Sequence, residues 1–138
     1  MNMNDPIASL LGSWSTELNL YSVLLRVAVS VVFAAIIGCE RASKRHAAGQ
    51  RTFILVSLAS TVAMMLDKSF AGTSMPLISA AAVIAIAIIS SNSILYSSKN
   101  QIKGLTTSVA LWMCGIIGLT IGAGLYTVSV IGYAALMC

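Results

Sequence analysis

The stretch that decides the fold is residues 20–51, which read LYSVLLRVAVSVVFAAIIGCERASKRHAAGQR. Its first part, residues 20–39, is apolar except for Arg26 and a few serines and tyrosine, and it has the length that an α-helix needs to cross a membrane. The polar loop that follows is rich in lysine and arginine, as cytoplasmic loops of membrane proteins are. The stretch therefore predicts a transmembrane helix followed by a cytoplasmic loop.

The whole chain has the same apolar character. Of its 138 residues, 58% are hydrophobic and 9% are charged, and the mean hydropathy is +0.93. A soluble domain usually carries about 25% charged residues, and a globule this small leaves much of its surface in water. The composition thus disfavours a soluble enzyme, a nucleic-acid-binding protein and a disordered chain. It predicts an all-α, polytopic membrane protein in a single domain over residues 1–138.

Hydropathy predicts four transmembrane helices and a short fifth one. The predicted spans are residues 20–39, 52–70, 76–96, 105–124 and 125–138. We expect the first apolar run to remain in the mature protein and not to be cleaved as a signal peptide, because no basic segment precedes it. The loops after the first and third spans carry six basic residues, Arg41, Lys44, Arg45, Arg51, Lys99 and Lys103. The opposite side carries one basic residue, Lys68, near the end of the second span, so the N-terminus is predicted outside and the basic loops in the cytoplasm.

Polar residues inside the predicted spans are candidates for function. Arg26 either marks a functional site or buried pair, with Asp67 as a partner on the same side, or snorkels to the outer interface. The third span ends in four polar residues, Ser90, Ser91, Asn92 and Ser93. These either line a hydrated path or make hydrogen bonds between helices.

Small residues cluster in the fourth span, where Gly118 and Gly122 form a G-x-x-x-G pattern that Gly115 and Gly124 extend. Such a face favours close helix packing, with a partner in the same chain or in another one. The three cysteines lack metal-ligand spacing, and we find no pairing of a nucleophile with a base. We therefore expect no enzyme, metal or cofactor.

Three ordered motifs over residues 20–125 resemble the membrane domain of the MgtC/SapB family. They are Arg26 followed by Gly38-Cys39-Glu40-Arg41, then Ala48-Gly49-Gln50-Arg51-Thr52-Phe53-Ile54-Leu55-Val56, then Lys103-Gly104-Leu105-Thr106-Thr107-Ser108-Val109-Ala110-Leu111-Trp112. The resemblance singles out a polar set of residues, Arg26, Glu40, Arg41, Arg51, Thr52, Thr106, Thr107 and Trp112. The chain departs from the family in having no glycine in residues 86–93 and Ala42 at an often acidic position.

The resemblance implies a bacterial inner-membrane protein of about five helices, here a divergent, minimal member without the C-terminal soluble domain of longer members. Members of the family are linked to growth at low magnesium and to survival of pathogens inside host cells. Some are reported to act on the F-type ATP synthase, which makes this enzyme a candidate partner.

Three functional hypotheses follow. The first is a non-enzymatic regulator or accessory factor of magnesium homeostasis that contacts a membrane protein laterally. Mg²⁺ prefers oxygen ligands, and near the membrane the chain offers only Glu40 and Asp67, on opposite sides. The alternative is a small channel or transporter, built as a homo-oligomer, for an ion or small solute. The third hypothesis is that the basic loops bind anionic lipid through Arg41, Lys44, Arg45 and Arg51.

Overall fold

The computed structural model describes residues 6–12, 19–43, 49–70, 77–92, 94–96 and 102–138. These residues form α1 (Pro6–Leu11), α2 (Leu20–Ser43), α3 (Gln50–Ser69), α4 (Leu77–Ser91), β1 (Leu95–Tyr96), β2 (Ile102–Lys103), α5 (Leu105–Ala123) and α6 (Tyr126–Met137). Apart from the two short strands, every element is a helix, and the predicted all-α fold class is confirmed.

Three of the helices are long and apolar enough to cross a membrane. These are α2 with 24 residues, α3 with 20 and α5 with 19, whereas α4 and α6 are apolar but shorter. Helix α4 ends at Ser91, before the end of the predicted span at Tyr96, because Leu95 and Tyr96 pair antiparallel with Lys103 and Ile102. Hydropathy does not distinguish an apolar residue in a helix from one in a short strand.

Helix α5 is the centre of the bundle and contacts α2, α3, α4 and α6. It runs parallel to α3. The contacts between the two helices show this direction, because successive contacting pairs keep a separation of 61 positions in the sequence. The partners at three successive levels are Phe53 with Cys114, Ser57 with Gly118, and Thr61 with Gly122. Two parallel helices in direct contact therefore form the core of the fold.

The buried face of α2 is mostly polar or small. Every fourth residue from Ser22 points inward, and the buried residues on this face include Arg26, Ser30 and Ala34. Large apolar residues such as Leu24 and Val32 are exposed instead. This pattern suits a helix that turns its apolar face to lipid and packs through small and hydrogen-bonding residues.

Candidate functional site

The carboxyl end of α5 is closed by a glycine turn. Gly124 has a φ of +85°, and its amide donates to the Ile121 carbonyl, while the Leu125 amide donates to the Thr120 carbonyl. This is a Schellman motif, and it satisfies two of the last four carbonyls of the helix. The carbonyls of Gly122 and Ala123 are left for other partners.

Two basic side chains from other helices bind these two carbonyls. Arg26 Nη1 donates a hydrogen bond of 2.8 Å to the Gly122 carbonyl, and Lys68 Nζ donates one to the Ala123 carbonyl. Arg26 is fully buried at 0% exposure, so it does not snorkel to the interface. The negative end of a helix dipole favours cations. We call this arrangement the α5 cation cap.

Gly124 also makes room for the α5 cation cap. A Cβ atom on Gly124 would lie 3.3 Å from Arg26 Nη2 and 3.9 Å from Lys68 Nζ. The positive φ already disfavours any residue with a side chain at this position. Turn geometry and the space for the two cations therefore both require glycine here.

Asp67 makes a different contact from the one expected. Its carboxylate accepts hydrogen bonds from the amides of Ile78 at 3.0 Å and Ser79 at 2.6 Å, so it caps the start of α4. The predicted pairing with Arg26 is wrong, because the amides at a helix N-terminus attract a carboxylate. Asp67 and Lys68, adjacent at the end of α3, thus bind the start of α4 and the end of α5.

A cluster of hydroxyls lies deeper in the bundle, one helical turn from Arg26. Ser30 Oγ lies 2.8 Å from Ser57 Oγ and 2.8 Å from Thr61 Oγ1. Thr61 Oγ1 also lies 2.8 Å from the Ser57 carbonyl and 3.0 Å from the Gly118 carbonyl. All three side chains are at most 1% exposed. The hydroxyls therefore join α2, α3 and α5 through hydrogen bonds within the protein.

The sequence motifs do not include Ser30, Ser57 or Thr61, and they do not predict the contact of Lys68. A usable signal was present, since Ser22, Arg26 and Ser30 recur every four residues and so share one face of a helix. The carbonyls that the two cations bind leave no mark in the sequence except the Gly124 turn.

The glycine face of α5 packs within the chain. A Cβ on Gly118 would lie 2.5 Å from the Ser57 carbonyl oxygen, and one on Gly122 would lie 2.6 Å from the Thr61 carbonyl oxygen. A Cβ on Gly115 would lie 2.7 Å from Cδ1 of Ile86 in α4. This face is therefore covered by α3 and α4, and a lateral contact with another protein has to use a different surface.

The other family-motif residues lie at the opposite end of the bundle. Glu40 and Arg41 are half-buried in the last turn of α2, Thr52 is half-buried in the first turn of α3, and Arg51 there is exposed. At 1.5 Å per residue, Glu40 lies about 21 Å along α2 from Arg26. The motif set is thus divided between the two ends of the bundle.

The first turn of α5 repeats the register of α3. Gly49 and Gly104 are the N-cap residues of the two helices, and Thr52 and Thr107 each follow three positions later. Thr107 is buried whereas Thr106 is exposed, and Trp112 is 38% exposed further along α5.

Of the four residues of the predicted polar path at the end of α4, one faces inward among those that the structure describes. Ser90 is 4% exposed and donates to the Ala87 carbonyl at 3.0 Å. Ser91 and Asn92 are exposed, and Ser93 lies outside the described residues. Successive residues of a helix point about 100° apart, so consecutive serines cannot all face one path.

No metal centre is found among the described residues, where no group of three or more His, Cys, Asp and Glu side chains lies close enough to hold an ion. Cys39, Cys114 and Cys138 are free thiols. The buried Cys114 Sγ donates to the Phe53 carbonyl at 3.6 Å and belongs to the α3–α5 contact.

The fold and the buried cap define a helical membrane protein whose surface is apolar and whose interior combines an apolar core with buried polar side chains. The chain matches the model of the MgtC family over residues 27–138, and it belongs to this family. The resemblance seen in the three sequence motifs is thereby confirmed.

Curated relatives agree with this assignment. The chain is 30% identical over 118 residues to YhiD of Escherichia coli (strain K12), covering 79% of this chain and 54% of YhiD, a protein whose name describes it as a candidate magnesium transporter. It is 29% identical over 113 residues to SapB of Bacillus subtilis (strain 168), covering 75% and 49% of the two chains. It is 27% identical over 99 residues to MgtC of Brucella abortus (strain 2308), covering 72% and 42%. The chain spans about half the length of these relatives, and no solved structure matches it.

Proposed function

We propose that this protein is a non-enzymatic regulator or accessory factor of the bacterial inner membrane, linked to magnesium homeostasis and adaptation to low magnesium. In this proposal it acts by contact with another membrane protein. The observation that carries the proposal is the closed interior of the bundle, where Arg26, Ser30, Ser57 and Thr61 bind groups of the same chain.

A magnesium path through one chain would have to pass these residues. Mg²⁺ loses its water ligands reluctantly and prefers several carboxylate or carbonyl oxygens. The fully buried Arg26 guanidinium lies one turn from the hydroxyl cluster, and Lys68 adds a second positive charge beside it. Two cations on the route repel a divalent cation, which supports a regulator over a conducting monomer.

The contact surface in this proposal is the apolar exterior, since the glycine face is covered. A photocrosslinking residue can be placed at Val32, which is 56% exposed on α2, or at Ile84, which is 63% exposed on α4. Ala34 is fully buried on the inner side of α2 and is the matched control position. We expect a defined membrane protein to be captured from an exposed site but not from Ala34, in cells grown at low magnesium.

The partner that the family resemblance suggests is the F-type ATP synthase, so its subunits are tested first among the captured proteins. The experiment uses cells that depend on the protein for growth at low magnesium. A photocrosslinking variant that restores this growth is functional. Growth rescued without any specific crosslink from lipid-facing sites on all five longer helices would contradict the proposal.

A second candidate function is a channel or transporter formed between several copies. The name of the relative YhiD favours this candidate, and Ser91 and Asn92 are exposed at the end of α4, where they could face an axis between chains. Its test is Mg²⁺ entry into liposomes that contain the purified protein, with native mass spectrometry of the same sample. Flux above that of empty liposomes, from a defined oligomer, would replace the regulator proposal.

A further inference from the structure

The apolar surface has a different height on different sides of the bundle. On α2 the lipid meets apolar residues from Leu20 to Cys39, because the one charged side chain in this stretch, Arg26, is fully buried. Twenty residues of helix are about 30 Å long, which matches the hydrocarbon core of an ordinary bilayer. Helix α4 has 15 residues. Its length is therefore only about 22 Å.

Polar groups lie at both ends of α4 and limit its apolar surface. The Asp67 carboxylate binds the first amides of α4, and Ser91 and Asn92 are exposed at its other end. On the neighbouring α3, the exposed Arg51 and the partly exposed Asp67 bound the apolar stretch. Sixteen residue steps separate them, or about 24 Å. Two adjacent helices thus give the same reduced height.

This side of the bundle is also loosely packed. Of the 15 residues in α4, only Ile86 and Ser90 are buried. Apolar grooves flank the helix, one of about 300 Å³ against α3 and one of about 360 Å³ against the end of α5. The smaller groove is lined largely by short and branched apolar side chains, among them Ala59, Ala82 and Ala85. Flexible acyl chains fit such shallow apolar grooves.

We propose that the surface formed by α4 and the adjoining side of α3, which we call the α4 wall, binds the acyl chains of a locally thinned bilayer. A bilayer thins to match a short apolar surface, and each ångström of mismatch costs free energy. The bilayer would be about 22–24 Å thick at the α4 wall and about 30 Å thick at α2. The protein then prefers lipids with short acyl chains beside the α4 wall.

The test is reconstitution of the full chain into phosphatidylcholine vesicles whose hydrocarbon cores are about 22, 30 and 36 Å thick. Thermal unfolding is followed by tryptophan fluorescence at several ratios of protein to lipid. We expect the highest unfolding midpoint in the thinnest bilayer and a midpoint lower by about 5 °C or more in the thickest. A midpoint that is independent of thickness would overturn the proposal.

Two variants make the test specific to the α4 wall. Ser91→Leu combined with Asn92→Leu extends the apolar side of α4 by about 3 Å and should raise the optimal bilayer thickness. Ser43→Leu, at the exposed end of the already long α2, is the matched control and should leave the optimum unchanged. If both variants shift the optimum equally, the α4 wall is not the cause. If the dependence on thickness vanishes at high protein density, a second copy covers the α4 wall and the lipid proposal is wrong.

Discussion

Replacing Gly118 by alanine tests the direct contact between α3 and α5. The new Cβ would lie 2.5 Å from the Ser57 carbonyl oxygen, whereas ordinary contacts are 3.4 Å or longer. The helices therefore have to separate by roughly 1 Å, and overpacking of this kind costs about 1–3 kcal/mol. The separation also weakens the hydrogen bond between Thr61 and the Gly118 carbonyl, now 3.0 Å long.

Alanine offsets part of this cost, because it favours a helix over glycine by about 1 kcal/mol. The weakened hydrogen bond adds about 1 kcal/mol in the opposite direction. We therefore expect Gly118→Ala to lower the free energy of unfolding by about 1–3 kcal/mol. The assay is reversible unfolding in mixed micelles with increasing sodium dodecyl sulfate, followed by circular dichroism.

Gly132→Ala is the matched control, since a Cβ there would meet only Ile117 Cγ1 at an ordinary 3.7 Å. It gains helix propensity without a clash and should be neutral or stabilising by up to about 1 kcal/mol. Equal stability of the two variants would refute the close packing of α5 on α3. An effect of Gly118→Ala that disappears on dilution would place the glycine face between copies instead.

Four further predictions concern the ends of the bundle. Arg26→Met leaves a carbonyl at the end of α5 without its charged donor and should destabilise the protein by about 2–4 kcal/mol in the same assay, with partial rescue by Arg26→Lys. Asp67→Ala removes the cap of α4 and should cost about 1 kcal/mol, seen as faster hydrogen exchange in α4 but not in α5. In a variant with the native cysteines replaced by serine, a membrane-impermeant maleimide should label Ser69→Cys in intact cells but Ser43→Cys only after permeabilisation, and the reverse would invert the proposed orientation. Arg51→Ala should lower retention of anionic lipid through detergent washing about fivefold, and unchanged retention would exclude its contact with headgroups.

The sequence predicts the fold class well, because long apolar runs and basic loops follow directly from the cost of charge in hydrocarbon. Helix α3, at Gln50–Ser69, lies within two residues of the span predicted at 52–70. The end of α4 was harder to predict. The helix ends at Ser91, yet the apolar Leu95 and Tyr96, which form β1, kept the hydropathy high beyond this end.

The candidate site was only half predictable. Arg26 was singled out because a charge within a span is costly. The contact of Arg26 was not predicted. The expected partner was a carboxylate, and the partner found is a backbone carbonyl 96 positions away. Side-chain charges are visible in a sequence, whereas a carbonyl without a helical partner appears only once the end of α5 is known. Gly124, the glycine of the turn that closes α5, was the one local sign of that end in the sequence.

The distance along the chain between Arg26 and its carbonyl has a consequence for biosynthesis. Arg26 enters the membrane with α2, but the Gly122 carbonyl is made 96 residues later. At about 5–20 residues per second, roughly 5–20 s pass between the two events. During this interval the guanidinium has to stay with water, lipid headgroups or the insertion machinery. Helix α2 therefore reaches its final depth only after α5 has been synthesised, and a nascent chain arrested before α5 should leave Arg26 accessible to a water-soluble probe.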